Sequence, residues 1–330
     1  CLSSLDKTAW PFELTRFLDA LETLYARGVR QFKFVDRTFN LKVDTSLAIL
    51  DFFLNKIEAA PDDPPFVHFE LIPDHLPDRL KHSIAKFPEG TLQFEIGIQT
   101  FDPEVQTRIS RRQNDEKAVA NLRWLREHSS AHLHVDLIAG LPGENVESFA
   151  RGFDALVALA PHEIQFGILK RLRGAPIDRH TQAHDLRFNP DPPYNILSTD
   201  VIDFATMQRL SRFSRYWDMV ANSGRFVRTL PLLLGDAPFQ RFLAFSDWLY
   251  GRTGQTHAIA HERMVHAVQA FMTEEGGIGT EAANRALIED YRGQGGRSRL
   301  TFEDQDVARP VPVPRKKSAT PPRQMRHLAG

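Results

Sequence analysis

Apolar side chains recur at two different spacings along the first half of the chain. Between residues 12 and 27 the spacing is helical, with apolar positions at Leu14, Phe17, Leu18, Leu21, Leu24 and Tyr25. Short apolar runs predict five strands, at 32–35, 66–71, 92–99, 133–138 and 164–169. Helical patterns between them predict helices at 44–57, 76–87, 103–109, 115–127 and 146–157.

Strands that alternate with helices indicate parallel βα units, and therefore an α/β fold. The chain starts with a loop that leads into a helix, so we expect another strand to precede Cys1. Six βα units would form a partial (β/α)6 TIM-like barrel, of which this chain lacks the first strand. Ligands of such folds bind at the carboxyl ends of the strands.

The pattern changes after about residue 175. A Pro-rich stretch at 190–193 precedes helical patterns near 200–221, 238–250, 255–272 and 280–291, with many aromatic residues at core spacing. From Arg292 onward the chain is rich in Gly, Pro, Arg and Lys. We therefore predict a partial barrel over 1–178, a mainly α-helical domain over 179–291, and a disordered, basic, Pro-rich tail over 292–330.

Composition narrows the class of protein. A hydrophobic content of 42% and a charged content of 25% are ordinary for a globular protein. The net charge of -1 over 330 residues argues against binding to nucleic acid. A single cysteine excludes an internal disulfide framework and fits a reducing compartment. No apolar run approaches the roughly 20 residues that span a bilayer, so we expect a cytoplasmic protein.

Polar or small residues stand at or just after the predicted strand ends: Asp36, Glu70, Gln99, Asp136 and Gly167. Each of them alone is equally compatible with a turn or a cap, because polar residues are common where loops begin. Cys1 stands in the loop before the first helix, where a start methionine would be expected. A lone cysteine is often a small buried hydrophobe, but we interpret Cys1 as the last member of a cluster of cysteines that begins upstream.

Two motifs are the most specific in the sequence: the segment 97–101 followed by Arg111, and the segment 135–144. Over roughly residues 1–180 the chain resembles the radical S-adenosylmethionine (SAM) enzymes, and these motifs are similar to those of the oxygen-independent coproporphyrinogen oxidase branch. The domain order resembles the group with a cobalamin-binding domain upstream and a domain of unknown function downstream. The resemblance implies a 4Fe–4S cluster held by a CxxxCxxC loop, with Cys1 as its third cysteine.

The resemblance also implies roles at the methionine end of SAM. Asp36 lies where the family has a Gly-rich motif that meets the amino group, although here Asp36 and Arg37 replace the glycines. Glu70 is similar to the acidic residue that faces the same end. Arg111 matches an arginine that pairs with the SAM carboxylate, and Arg112 takes this role if the register differs by one.

At the nucleoside end, Gln99 matches a glutamine near the ribose, and Asp136 matches an aspartate that takes the ribose hydroxyls. Gly167 and Ile168 lie where the family's backbone meets the adenine. A carboxylate for the ammonium, an arginine for the carboxylate and an aspartate for the diol are the charge-matched choices. The Gly140-to-Gly143 turn lacks the length and the lysine of a P-loop.

Two histidines, His132 and His134, stand two positions apart on a predicted strand and therefore point to the same side. No third metal ligand is apparent near them in the sequence, so a structural role is favoured.

Two hypotheses of function remain open. In the first, the chain is the C-terminal portion of a radical SAM enzyme that cleaves SAM to a 5′-deoxyadenosyl radical, with an unknown substrate, an electron donor, and cobalamin supplied by an upstream domain. Because two cluster cysteines are lacking, the fragment itself would be inactive. In the second, the chain is a non-catalytic remnant or interaction module that retains a nucleoside pocket.

Overall fold

The computed structural model describes residues 12–36, 38–303 and 318–328. Its first half alternates helices and strands, with bounds close to those predicted. The helices are α1 Leu14–Ala26, α2 Val43–Ala59, α3 Asp78–Ile84, α4 Pro103–Arg108, α5 Asp115–His128 and α6 Val146–Ala158. The strands are β1 Gln31–Lys33, β2 Phe66–Leu71, β3 Leu92–Gln99, β4 His132–Ala139 and β5 Glu163–Ile168.

Side-chain caps explain where several helices begin. The side chains of Asp102, Asn114 and Asn145 accept hydrogen bonds from the first free backbone N–H groups of α4, α5 and α6, which offsets the loss of their water contacts. Gly28 follows α1 with a φ of +91°, a conformation that glycine adopts without strain. These polar residues mark where α4, α5 and α6 begin, and Gly28 marks where α1 ends.

The five strands form one parallel sheet in the order β1-β2-β3-β4-β5. Parallel neighbours joined by right-handed crossovers place all the connecting helices on the same face of the sheet. The predicted α/β class is confirmed. The carboxyl ends of the strands meet at one edge, as the sequence pattern predicts.

The two faces of the sheet differ sharply in chemistry. One face is apolar and packs under the helices, with Phe69, Phe94, Ile96 and Val135 at most 1% exposed. The opposite face, here called the polar face, carries the alternate residues of each strand. Its members are Lys33, His68, Glu70, Gln93, Glu95, Gly97, Gln99, His132, His134, Asp136, Glu163, Gln165 and Gly167. At the amino ends of the strands this face is buried, with Gln93, His132 and Glu163 at most 4% exposed, and toward the carboxyl ends it opens into a cavity.

The second half is mainly helical among the described residues. After a short antiparallel hairpin, β6 Arg187–Phe188 and β7 Ile196–Ser198, the chain forms helices that share one hydrophobic core with the sheet. They are α7 Phe204–Val220, α8 Thr229–Leu234, α9 Pro238–Thr253, α10 His261–Glu274, α11 Thr280–Gly293 and α12 Pro322–His327. None of the helices in the described parts of the chain is long and apolar enough to cross a membrane.

The first helix of this half and the hairpin pack against β5, the last strand of the sheet. The Ser214 hydroxyl of α7 donates a hydrogen bond of 2.5 Å to the Phe166 carbonyl of β5, and the Ile196 N–H of the hairpin donates to the Leu169 carbonyl at 2.8 Å. The hairpin and α8 were not among the predicted elements, because each is too short to show a clear periodicity.

The prediction of a disordered tail over 292–330 is wrong for the part of it that the structure describes. Leu300 and Glu303 are buried, and residues 318–328 lie against the amino ends of the sheet strands. The Thr320 hydroxyl donates to the Gly90 carbonyl, 230 positions earlier in the chain. Composition favoured disorder, but contacts between residues so far apart leave no local signal in the sequence.

Candidate cofactor site

A cavity of about 1240 Å³ lies over the carboxyl ends of β2 to β5, on the polar face of the sheet. Six of the predicted cofactor-binding residues line it: Glu70, Gln99, Arg111, Asp136, Gly167 and Ile168. Arg112, the alternative to Arg111, lines it as well. The structure thus brings together residues from four strands and from the loop that follows α4.

One of the predicted site residues that the structure describes, Asp36, does not line this cavity. Asp36 is exposed, and its Oδ1 accepts hydrogen bonds of 3.1 Å from the backbone N–H and the hydroxyl of Thr38, so its side chain closes a turn instead. Thr38 lines the cavity in its place. Cys1, the predicted cluster ligand, lies outside the described residues.

The end of β3 has an irregular backbone. Gln99 has a φ of +72°, which is costly for a residue with a side chain and is found mainly at functional sites. The register with β4 shifts between Gly97 and Gln99, as in a β-bulge. A Cβ added at Gly97 would lie 2.5 Å from Nε2 of Gln99, so glycine leaves the space into which that side chain folds.

Arg111 is held against this irregular segment. Its guanidinium donates to the Gly97 carbonyl and, through Nε, to Oε1 of Gln113 at 3.0 Å. Burial lowers the pKa of Arg111, while the charges of Asp74, Asp115, Asp136 and Glu70 oppose that shift. The guanidinium therefore stays charged and is fixed at the wall of the cavity.

Asp136 is a largely buried carboxyl with a strongly raised pKa. Burial, together with the nearby charges of Glu95 and Glu70, raises its pKa to about 8. Its Oδ1 is buried and has no hydrogen-bond partner among the described residues, and Nε2 of His134 is 3.6 Å away. A buried oxygen without a partner is costly, so this group is suited to accept or share protons with a ligand's hydroxyl groups.

Glu95 lies next to Asp136 on the polar face and behaves in the opposite way. A hydrogen bond from His68, with Nε2 at 3.2 Å from Oε2, and the charges of His134 and Lys33 lower its pKa to about 2. The cavity floor thus places the anionic Glu95 beside Asp136, whose pKa is shifted in the opposite direction. Sequence reasoning missed Glu95 because it stands inside the strand, although its spacing of two from Gly97 places it on the same face.

The opposite wall of the cavity comes from α7 and the loop after α9. Gln208, Ser211, Arg212 and Arg215 stand on one face of α7 and line the cavity. Arg212 lies over the ring of Tyr250, with 4.4 Å between its Cζ and the ring centroid, and its buried Nε has no hydrogen-bond partner among the described residues. The aromatic spacing of this helix predicts its core positions, and it gives no sign that the polar residues line a cavity.

Two segments of the chain match known family models. Residues 6–156 match the Radical SAM superfamily. Residues 182–300 match a protein family of unknown function, DUF4080. The first part of the chain is thus similar to the radical SAM superfamily, and a later part is similar to DUF4080.

Curated relatives match only a segment of the chain. An oxygen-independent coproporphyrinogen III oxidase of Paracoccus denitrificans is 30% identical over 95 residues, which are 29% of this chain and 21% of that protein. The anaerobic coproporphyrinogen III oxidase 1 of Cereibacter sphaeroides is 38% identical over 76 residues, 23% of this chain and 17% of that protein. The matched part of the chain spans about a fifth of the length of these relatives.

Solved structures resemble the chain at a coarse level. The radical S-adenosylmethionine methyltransferase TsrM from Kitasatospora setae is 20% identical, with a TM-score of 0.46 over 55% of this chain and 36% of its own. The coproporphyrinogen III oxidase HemN from Escherichia coli is also 20% identical, with a TM-score of 0.36 over 51% of this chain and 40% of its own. These scores are too low to transfer the role of any residue.

Proposed function

We propose that this chain provides the SAM-binding and substrate-binding parts of a radical SAM enzyme. The observation that carries the proposal is the gathering of Glu70, Arg111 and Asp136 around one cavity at the carboxyl ends of the strands, within the segment that matches the radical SAM superfamily. SAM carries an ammonium, a carboxylate, a ribose diol and a sulfonium cation. The cavity offers a group of matching charge or hydrogen-bonding capacity to each of the first three.

The fit is most direct at Asp136. Its unpartnered, buried Oδ1 can accept a hydrogen bond from a ribose hydroxyl, with Gln99 beside it on the next strand. A cationic ligand in the same cavity would lower the pKa of Asp136 from about 8, because a nearby positive charge favours the carboxylate. Arg111 would pair with the carboxylate of SAM, and Glu70 with its ammonium.

The iron–sulfur cluster does not find its ligands within these residues. The sequence contains one cysteine, whereas clusters of this type are held by several thiolates. Residues 1–330 alone therefore do not fit a 4Fe–4S cluster, and we derive no step through it. The cluster is the group that would supply the electron for SAM cleavage. Cobalamin enters the proposal only through the resemblance to the cobalamin-associated branch.

We further propose that α7 selects the substrate. Arg212 and Arg215 face the cavity from the DUF4080 side, across from the proposed SAM residues. Two guanidinium groups beside Ser211 and Gln208 suit a substrate with carboxylate or phosphate groups. The radical SAM domain would hold the cofactor, and the second domain would hold the molecule on which it acts.

The test is calorimetric titration of the chain with SAM. We expect binding, and we expect Asp136→Ala to weaken it at least about tenfold, since it removes a hydrogen bond to a buried partner. The matched control is Asp51→Ala, which removes an exposed aspartate from α2 on the outside of the molecule. Absence of SAM binding, or equal losses in the two variants, would contradict the proposal.

The second candidate, a non-catalytic module that retains a nucleoside pocket, is favoured by the single cysteine. The two candidates differ in whether SAM is consumed. Anaerobic reconstitution with iron and sulfide, of the protein with the residues encoded upstream of Cys1 included, followed by dithionite and SAM, should yield 5′-deoxyadenosine under the first candidate and none under the second. Tight SAM binding without cluster absorption or product would favour the module.

A further inference from the structure

A second group of ligand-type side chains lies at the other end of the polar face. His132 at the start of β4, Glu163 at the start of β5 and His327 in α12 each offer an atom, and these atoms all lie within 4.8 Å of one another. Nε2 of His132 is 3.1 Å from Oε1 of Glu163, and Nε2 of His327 is 3.9 Å from the same oxygen. Their side chains are 5%, 2% and 9% exposed, respectively.

The two histidine rings lie close enough to reach one ion, with 5.1 Å between the ring centroids of His132 and His327. Nδ1 of His132 has no hydrogen-bond partner among the described residues, and an unsatisfied group of this kind often marks an ion or water.

The surroundings orient the carboxylate. Oε2 of Glu163 lies 2.8 Å from the Arg323 guanidinium and 3.9 Å from Nδ1 of His134, which leaves Oε1 directed at the two histidines. His162 stacks on His132 at 4.6 Å between ring centroids. It is not a further ligand, because its Nδ1 accepts from the Leu133 N–H at 3.0 Å and its Nε2 lies 3.3 Å from Arg126.

We propose that His132, His327 and Glu163 bind a divalent transition metal of the zinc type, with water completing the coordination. Two neutral imidazoles and one carboxylate are a common ligand set for zinc. Arg323 would act as the outer partner that fixes Glu163. His327 would exchange its contact with the Asn222 carbonyl, 3.2 Å from Nε2, for the metal. The site is separate from the SAM cavity and needs no cysteine.

The consequence of this metal would be structural. The strands carry two of the ligands, and the segment 318–328 carries the third, nearly 200 positions later in the sequence. A metal would therefore join the end of the described chain to the sheet below the cavity. The sequence alone showed His132 and His134 without a third ligand, because His327 comes near them only through the fold.

The test uses the full chain, with any affinity tag removed and with Cys1→Ser to exclude a thiolate ligand. Titration with Zn²⁺ against a chelating dye should show one site, and Co²⁺ should give the visible absorption of a four-coordinate ion. His327→Ala should weaken Zn²⁺ binding at least about 100-fold, beyond the usual cost of losing an outer-sphere partner. Zn²⁺ should raise the melting temperature of the parent but not of this variant.

The matched control is His128→Ala, which removes an exposed histidine stacked on Trp124 and should leave Zn²⁺ binding unchanged. His327→Asn serves as a second variant that keeps a polar side chain in α12, and circular dichroism checks that both variants are folded. A parent chain that binds no Zn²⁺, or variants at residue 327 that bind it as tightly as the parent, would overturn the proposal.

Discussion

The two ends of the polar face carry similar residues but use them differently. At the amino ends of the strands, Gln93 and Glu163 are bonded to Gln324 and Arg323 of the segment 318–328. At the carboxyl ends, Asp136 keeps an oxygen without a partner and faces a large cavity. The segment 318–328 thus covers one end of the face, while the other end faces an open cavity.

The difference between the two ends shows how one face of a sheet can contribute to both stability and binding. Because side chains alternate between the two faces of a strand, polar residues line the whole inner face of the sheet. A buried polar group without a hydrogen-bond partner destabilises the fold. In barrels of this class the carboxyl end is functional and the amino end contributes to stability. If this division holds, changes at the lower end should alter stability and spare SAM binding, whereas changes at the upper end should do the reverse.

The largest expected effect is at the lower end. Arg323 lies 2.8 Å from the buried Glu163 carboxylate and 2.6 Å from Asp218. Arg323→Ala leaves that carboxylate without its cation, and we expect a loss of about 2 kcal/mol in the free energy of unfolding, less than the cost for a fully buried pair because this arginine is 34% exposed. Urea denaturation measures this loss.

The control for that variant is Arg187→Ala, which removes an exposed arginine paired with Asp185 and should change stability little. Affinity for SAM should stay within about twofold in the Arg323 variant, since both ends of the face are expected to act independently. A large loss of SAM affinity would break the comparison.

The next effect concerns pH at the upper end. Because the pKa of Asp136 is raised from 3.8 to about 8, the folded chain keeps a proton that the unfolded chain has released. Stability from this group therefore falls as pH rises between those values. Asp136→Asn removes the titration, so the variant should be more stable than wild type near pH 8, by about 1.5 kcal/mol, with the difference shrinking toward pH 4. Thermal melts across this range test it.

The lower end should show the opposite pH dependence. Burial lowers the pKa of His132 from 6.5 to about 2. Below pH 6.5 the unfolded chain therefore binds a proton at this residue, whereas the folded chain does not. Stability from this group is lost as pH falls below 6.5, by at most about 1.4 kcal/mol per pH unit. His132→Asn should flatten the acid limb of stability between about pH 6.5 and 5. An unchanged slope would contradict the assigned neutral state.

The smallest effect is at the bulge of β3. Gln99 adopts a φ of +72°, so Gln99→Gly should relieve backbone strain of about 1 kcal/mol while weakening SAM binding through loss of the side chain. The control is Ala258→Gly, an exposed residue with a φ of +55°, which should gain similar stability without any change in affinity. Equal affinity in both variants would remove Gln99 from the site.

Much of the first half could be predicted from its sequence, because the periods of strands and helices differ and caps mark where helices begin. Glu70, Gln99, Arg111 and Asp136 could be grouped in advance, since parallel strands bring their carboxyl ends to one edge. Asp36 follows the shortest strand of the sheet, where its side chain closes a turn with Thr38 instead. The roles of Glu70, Gln99, Arg111 and Asp136 toward SAM stay predictions.

What could not be predicted depends on contacts between distant parts of the chain. The wall formed by Arg212 and Arg215 depends on how α7 packs against β5, and helical periodicity does not show which neighbour a polar face meets. His327 and Thr320 reach partners almost 200 or more positions away, within a tail whose composition favoured disorder. No local pattern encodes such pairings.

Hydrogen exchange with and without SAM tests the division of the polar face most directly. The account predicts that SAM slows exchange in peptides that cover the carboxyl ends of β3 and β4 and the loop with Arg111, while peptides from 318–328 stay unchanged. Protection confined to 318–328 and the amino ends of the strands, or no protection anywhere at saturating SAM, would contradict it.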